Sequence, residues 1–185
     1  AGNTRAGRMI ADANGAVVLM PTIAESLLPE FDHEMANTRL TLARLPDDRP
    51  DFRPHETSAT LARLAGHLAD IPWWAVAILT RDDYDVLPDG TPARTTYVMT
   101  ARDALLQRFE AEVDAARAAI AATTDAAMTQ PWTFRREGRT LFSLPRGSAL
   151  RRFVLSHAIH HRAQLGVYLR LNDVPVPSVY GPSAD

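Results

Sequence analysis

Apolar residues recur at helical spacing in four long stretches. From about Thr22 to Leu45, the positions Ile23, Leu27, Phe31, Met35, Leu42 and Leu45 fall on one stripe of a helix. Pro46-Asp47-Asp48 ends it, and a loop rich in charge and proline follows to Glu56. A second helix spans about Ser58 to Leu79, striped by Leu61, Leu64, Leu68, Ile71 and Trp74. Pro72 bends it, because its nitrogen has no proton to donate. A polar connection with the turn signal Pro88-Asp89-Gly90 leads to Thr100. Thr100 to Asp103 has capping-box spacing and opens an Ala-rich helix to about Ala127.

The period then changes. Trp132 and Phe134 alternate with polar residues, as do Thr140, Phe142 and Leu144, on either side of Glu137-Gly138. That pattern predicts a short hairpin. The last helix covers about Arg146 to Leu171, where Asn172-Asp173, Pro175 and Pro177 stop it. Four amphipathic helices must bury their stripes against one another. The pattern therefore predicts an all-α four-helix bundle with a hairpin-like excursion before the last helix. Residues 1–19 lack this periodicity, and Met20-Pro21 resembles a start. The expected division is an N-terminal extension or leader over 1–19 and one bundle domain over 20–185.

Composition narrows the function classes. A net charge of −2 offers no basic face for nucleic acid. No apolar run approaches the ~20 residues of a membrane span. There is no cysteine, which excludes disulfides, thiolate metal sites and a cysteine nucleophile, and fits a reducing, cytoplasmic setting. All 20 basic residues are arginine, so lysine-based covalent and general-base chemistry is excluded too.

The chemistry lies in histidine. Three of the six fall within His157-Ala158-Ile159-His160-His161. With His157 at zero on a helical wheel, His161 lies near about 40° and the apolar face centres near about 75°. His160 lies near about −60°, facing outward, and Gln164 near about −20°, beside His157. His157 and His161 thus share a face and can reach one small ion. On the second helix His67 sits among Leu64, Leu68 and Ile71, on the apolar stripe. Inward imidazoles need a partner for their lone pairs, and a divalent metal is one. Three nitrogen ligands leave a coordination position open and suit Zn, Ni or Fe.

Glu34 and Thr38 fall inside the first stripe. Glu34 could orient a ligand imidazole or move a proton near the ion; the alternative is that its carboxylate escapes at a bundle edge or pairs with an arginine such as Arg39. Glu30 and His33 match the Glu-x-x-His spacing of di-iron bundles, but the motif occurs once and His33 points away from the stripe. His55 lies in a loop.

The chain resembles the DinB-like superfamily, in particular its small bacterial members. The likeness covers nearly all of residues 21–185. It is carried by Leu28-Pro29-Glu30-Phe31-Asp32-His33-Glu34-Met35, by His67-Leu68-Ala69-Asp70-Ile71-Pro72, and by the tail from Pro175 to Ser183. Its strongest part is His157-Ala158-Ile159-His160-His161-Arg162-Ala163-Gln164-Leu165. One departure is Ala163, where the family motif usually carries glycine. The resemblance implies an up-down-down-up four-helix bundle, often a homodimer, with a divalent metal on His67, His157 and His161. It further implies a metal-dependent transferase or hydrolase acting on a small-molecule substrate with a low-molecular-weight thiol as cosubstrate. A metal- or ligand-binding dimer without turnover is the alternative.

The wheel separates two adjacent residues. His161→Ala should abolish metal uptake and His160→Ala should largely spare it, as measured by elemental analysis. Equal loss in both would show the facing to be misassigned.

Overall fold

Thr22 closes the N-terminus of the first helix with a reciprocal pair of hydrogen bonds. Its hydroxyl accepts from the Glu25 N–H (3.1 Å), and the Glu25 carboxylate accepts from the Thr22 N–H (2.7 Å). Such a box stabilises a helix start by roughly 1 kcal/mol. In the computed structural model, which describes residues 8–11 and 17–185, helix α1 runs Ile23–Leu42. The expected stripe is buried at Leu27, Phe31, Met35 and Leu42, while Ile23, at the helix start beside Asp125, stays exposed.

The second predicted helix is two segments, α2 (Leu61–Asp70) and α3 (Trp73–Thr80). Ile71 and Pro72 between them keep helical dihedrals, so Pro72 interrupts the hydrogen bonding without turning the chain back. Helix α4 is Arg102–Ala122, and the short α5 is Asp125–Thr129. The predicted capping box at Thr100 does not form. Ala101 occupies the cap position, and Asp47 accepts from the Arg102 N–H instead (2.6 Å), a cap supplied from a distant loop. The last helical rod joins α6 (Arg146–Leu150), a π-helical turn (Arg151–Ser156) and α7 (His157–Leu171).

Helix α1 packs on α4 and α7, and α2 packs on the same two. One core fills the space between them, including Phe31, Leu68, Leu105, Phe109, Leu165 and Leu169. The chain is thus mostly helical, but the all-α expectation is corrected by a small sheet. Strand β3 (Asp83–Asp85) pairs in parallel with β4 (Pro131–Arg136), which pairs antiparallel with β5 (Arg139–Pro145). The predicted hairpin is β4–β5, turned through Glu137 and Gly138 at positive φ. The third strand was hidden in the polar connection. It is held by Asp85, whose carboxylate accepts from the N–H groups of Leu87, Glu137 and Gly138. In and just past the expected leader, Arg8–Ala11 (β1) pairs antiparallel with Val17–Met20 (β2), and residues 1–7 and 12–16 lie outside the described residues. No helix among the described residues is long and apolar enough to cross a membrane.

Two contacts position the site. Buried Arg146 donates to the carbonyls of Ile78 and Arg81 and pairs with Asp82, tying the end of α3 to the start of the last rod. On α2, the chain before α4 crosses directly over Gly66. The Met99 N–H donates to the Ala62 carbonyl (3.0 Å), and the Tyr97 N–H to Asp70 (3.1 Å). A Cβ on Gly66 would stand 2.0 Å from the Tyr97 oxygen, so only glycine permits the crossing. Gly66→Ala should cost about 1–3 kcal/mol of stability by overpacking, read by denaturant titration. Unchanged stability would mean the crossing strap moves freely.

Candidate metal centre

Helix α2 and the start of α7 bring three half-buried imidazoles to one point. His67 Nε2 lies 3.1 Å from His157 Nε2. The ring centroids of His67 and His161 are 4.7 Å apart, as are those of His157 and His161. One ligand nitrogen from each of the three lies within 4.8 Å of the others. The predicted trio is therefore assembled. His160 is exposed, as its wheel position requires.

Two of the three rings are held by their far nitrogens. The His157 backbone N–H bonds the Val154 carbonyl at the π turn, and the Phe153 carbonyl accepts from the His157 ring at Nδ1 (3.3 Å). The wide turn thus supplies an oriented acceptor at the site. Gln164 Oε1 accepts from His161 Nδ1 (2.7 Å). The wheel placed Gln164 beside His157. It serves His161 because that ring's Nδ1 points along the helix into the next turn. Both bonds leave Nε2 unprotonated and facing its neighbours.

At 3.1 Å the Nε2 atoms of His67 and His157 share either a proton, in a hydrogen bond, or a cation. Zn–N bonds of about 2.0–2.1 Å place tetrahedral donors roughly 3.4 Å apart. The His67–His157 separation is already close to that value, and the donor set is all imidazole. The residues present fit a divalent ion.

Electrostatics keep the rings neutral. Burial, then the His67 and His161 rings, hold the His157 pKa down to about 4. Burial lowers His67, with His161 adding to it and Asp70 opposing. Burial also lowers His161, against the Gln164 hydrogen bond. Neutral imidazole is the ligating form, so these shifts favour metal binding near pH 7.

Two cavities meet at His67. One, of about 510 Å³, is bordered by Ser58, Arg63, Thr96 and His161. The other, of about 210 Å³, is walled by Trp73, Trp74, Tyr84 and Arg94. The three aromatic rings meet edge-on with centroids 5.1–5.2 Å apart. Asp70 also lines this second cavity, where it accepts from Arg94 (3.0 Å) and Arg108 (2.7 Å). A third cavity, also about 510 Å³, lies against Ile159, Ala163 and Val176 and touches none of the trio.

Glu34 is buried, as its stripe position implies, but it belongs to a different cluster. Its carboxylate accepts from Arg162 (2.7 Å) and from the Tyr180 hydroxyl (2.7 Å). Arg39 pairs with Glu110 instead. Thr38 is fully buried and accepts from Arg162 (3.2 Å). Asp70 and Arg162 were missed by sequence reasoning. Arg162 had a signal: on the wheel it falls near about 140°, next to apolar Leu169. Asp70 had none, because its partners come from the loop before α4 and from α4 itself.

A mostly helical domain with a converging histidine trio defines the class of protein. A family model for the DinB superfamily matches residues 30–165, which include all three histidines. The chain belongs to the DinB superfamily. A crystal structure of a DinB-like protein from Bacillus cereus shares the fold, with a TM-score of 0.61 at 20% identity, covering 84% of this chain and 97% of that one. A DinB-like protein from Bacillus subtilis is similar, with a TM-score of 0.62 at 19% identity over 83% of this chain and 97% of that one. No curated protein matches the chain.

The lowered histidines make metal-free stability pH-dependent. Folded, they bind protons less readily than unfolded, so stability present above pH 6.5 is lost as pH falls toward about 4. Melting temperatures of metal-free protein should decline through that window, and less steeply in His157→Gln. Superimposable profiles would remove His157 as a source.

Proposed function

We propose that the protein binds one divalent metal ion on His67, His157 and His161 and acts at the open coordination position as a metal-dependent enzyme. The observation that carries this reading is the convergence of three neutral imidazoles from two helices, with ligand atoms within 4.8 Å of one another. When bound, a divalent ion favours the deprotonated form of a water or thiol placed at its open position.

The chain's own residues supply orientation and enclosure. Phe153 and Gln164 hold two imidazoles, and Trp73, Trp74 and Tyr84 wall the cavity that reaches His67 on one side. No free general base stands beside the trio among the cavity-lining residues. Asp70, which lines the aromatic cavity, is tied to Arg94 and Arg108. That favours a nucleophile brought by a cosubstrate, and hence thiol transfer with a low-molecular-weight thiol over hydrolysis. It equally supports the second reading, a dimeric protein that binds metal or a small ligand without turnover. The proposal takes the four long helical runs as the family's up-down-down-up bundle, over residues 20–185, in a homodimer working in the cytoplasm.

Protein purified after metal-replete expression should carry about one divalent ion per chain, lost in His67→Ala. Elemental analysis finding none in the unaltered chain would sink both readings. With metal present, thiols screened against electrophilic acceptors separate enzyme from binder: turnover supports the first reading, and saturable binding without product supports the second.

A further inference from the structure

The two cavities at His67 differ in charge. In the aromatic one, Arg94 is balanced, because it donates to both Asp70 (3.0 Å) and Glu112 (2.7 Å). In the polar one, Arg63 is not. That cavity is bordered by Thr57, Ser58, Arg63, Thr96, His67 and His161, and no aspartate or glutamate lines it. The Arg63 side chain is exposed and makes no ion pair or side-chain hydrogen bond among the described residues. It sits four residues before His67 on α2. Residues at that spacing stand on one helix face with Cβ atoms roughly 5–6 Å apart.

We infer that Arg63 is a specificity residue, selecting a small molecule that carries an anionic group about one helical turn from the atom it presents to the histidine trio. This rests on the metal reading of the site. An ion on three neutral imidazoles adds its whole positive charge to that of Arg63, and no lining carboxylate offsets either. Such a cavity raises the local concentration of anions. The guanidinium fork matches a carboxylate geometrically, and its free donors have no competing partner among the described residues. The hydroxyls of Ser58 and Thr96 border the same space and can donate to the same group.

The test uses cobalt-loaded protein and two thiols of equal length. Mercaptobutyrate carries a carboxylate at the end opposite its sulfur, and mercaptobutanol a hydroxyl. Thiolate binding is followed by the sulfur-to-cobalt absorption band. Mercaptobutyrate should bind about tenfold more tightly or better, the strength of one charge-assisted hydrogen-bonded pair. That ratio should fall toward one in Arg63→Gln and recover in part in Arg63→Lys. Rising salt should weaken the carboxylate ligand selectively. Equal affinities in the unaltered protein overturn the inference. So does a preference that persists in Arg63→Gln, since the carboxylate would then be chelating the metal. Cobalt content is measured first. A chain that takes up none overturns the metal reading along with this one, whereas a loaded chain without the preference overturns this one alone.

Discussion

Everything at this site depends on how α2 packs against α7. That contact carries one polar cost: His67, His157 and His161 are drawn partly out of water together. Burial is the largest influence on all three pKa values and lowers each. The Nε2 atoms of His67 and His157, 3.1 Å apart, are satisfied by a shared proton or by a cation, and the third imidazole adds a further lone pair for a cation to take. The packing and the chemistry are therefore one problem. The core that stabilises the fold creates a cluster of bases that a cation relieves.

The polar groups around this contact fall into separate accounts. Asp70 is satisfied by Arg94, Arg108 and the Tyr97 N–H, which draws the strap before α4 across α2. Gly66 lets that strap approach. Glu34, Arg162 and Thr38 form a second, buried network between α1 and α7, which the exposed Tyr180 joins from the C-terminal tail. Removing one member of such a buried pair costs about 3–5 kcal/mol, because the other charge is left without a partner. Neither network donates to a histidine of the trio, so each stabilises the frame around the site. Among the described residues, Arg63 borders the polar cavity without a carboxylate partner, and this asymmetry gives that cavity its character.

Residues that share one helix were legible in advance. His157 and His161 face inward and His160 outward because a period near 3.6 residues sets direction regardless of what the helix packs against. Glu34 and Thr38 were rightly read as interior by the same argument. Their partner, Arg162, was not foreseen, since a charged residue on an apolar face counts against burial until its partner is known. The strand at Asp83–Asp85 was equally hidden. Three residues carry no readable period, and they are strand only because β4 lies alongside.

From sequence alone came the outline of the long helical runs, the hairpin, the exclusion of thiolate and lysine chemistry, and the directions of the histidines. These are local matters, decided by period, turn chemistry and residue type. Tertiary structure alone decided that His67 reaches His157 across 90 residues, that the Phe153 carbonyl and Gln164 hold the rings, and that Asp70 is neutralised while Arg63 is not. Each of these depends on distances between elements, which no local rule contains. The physical reason is that directions are set within a helix, whereas charge balance and ligand spacing are set only where two helices meet.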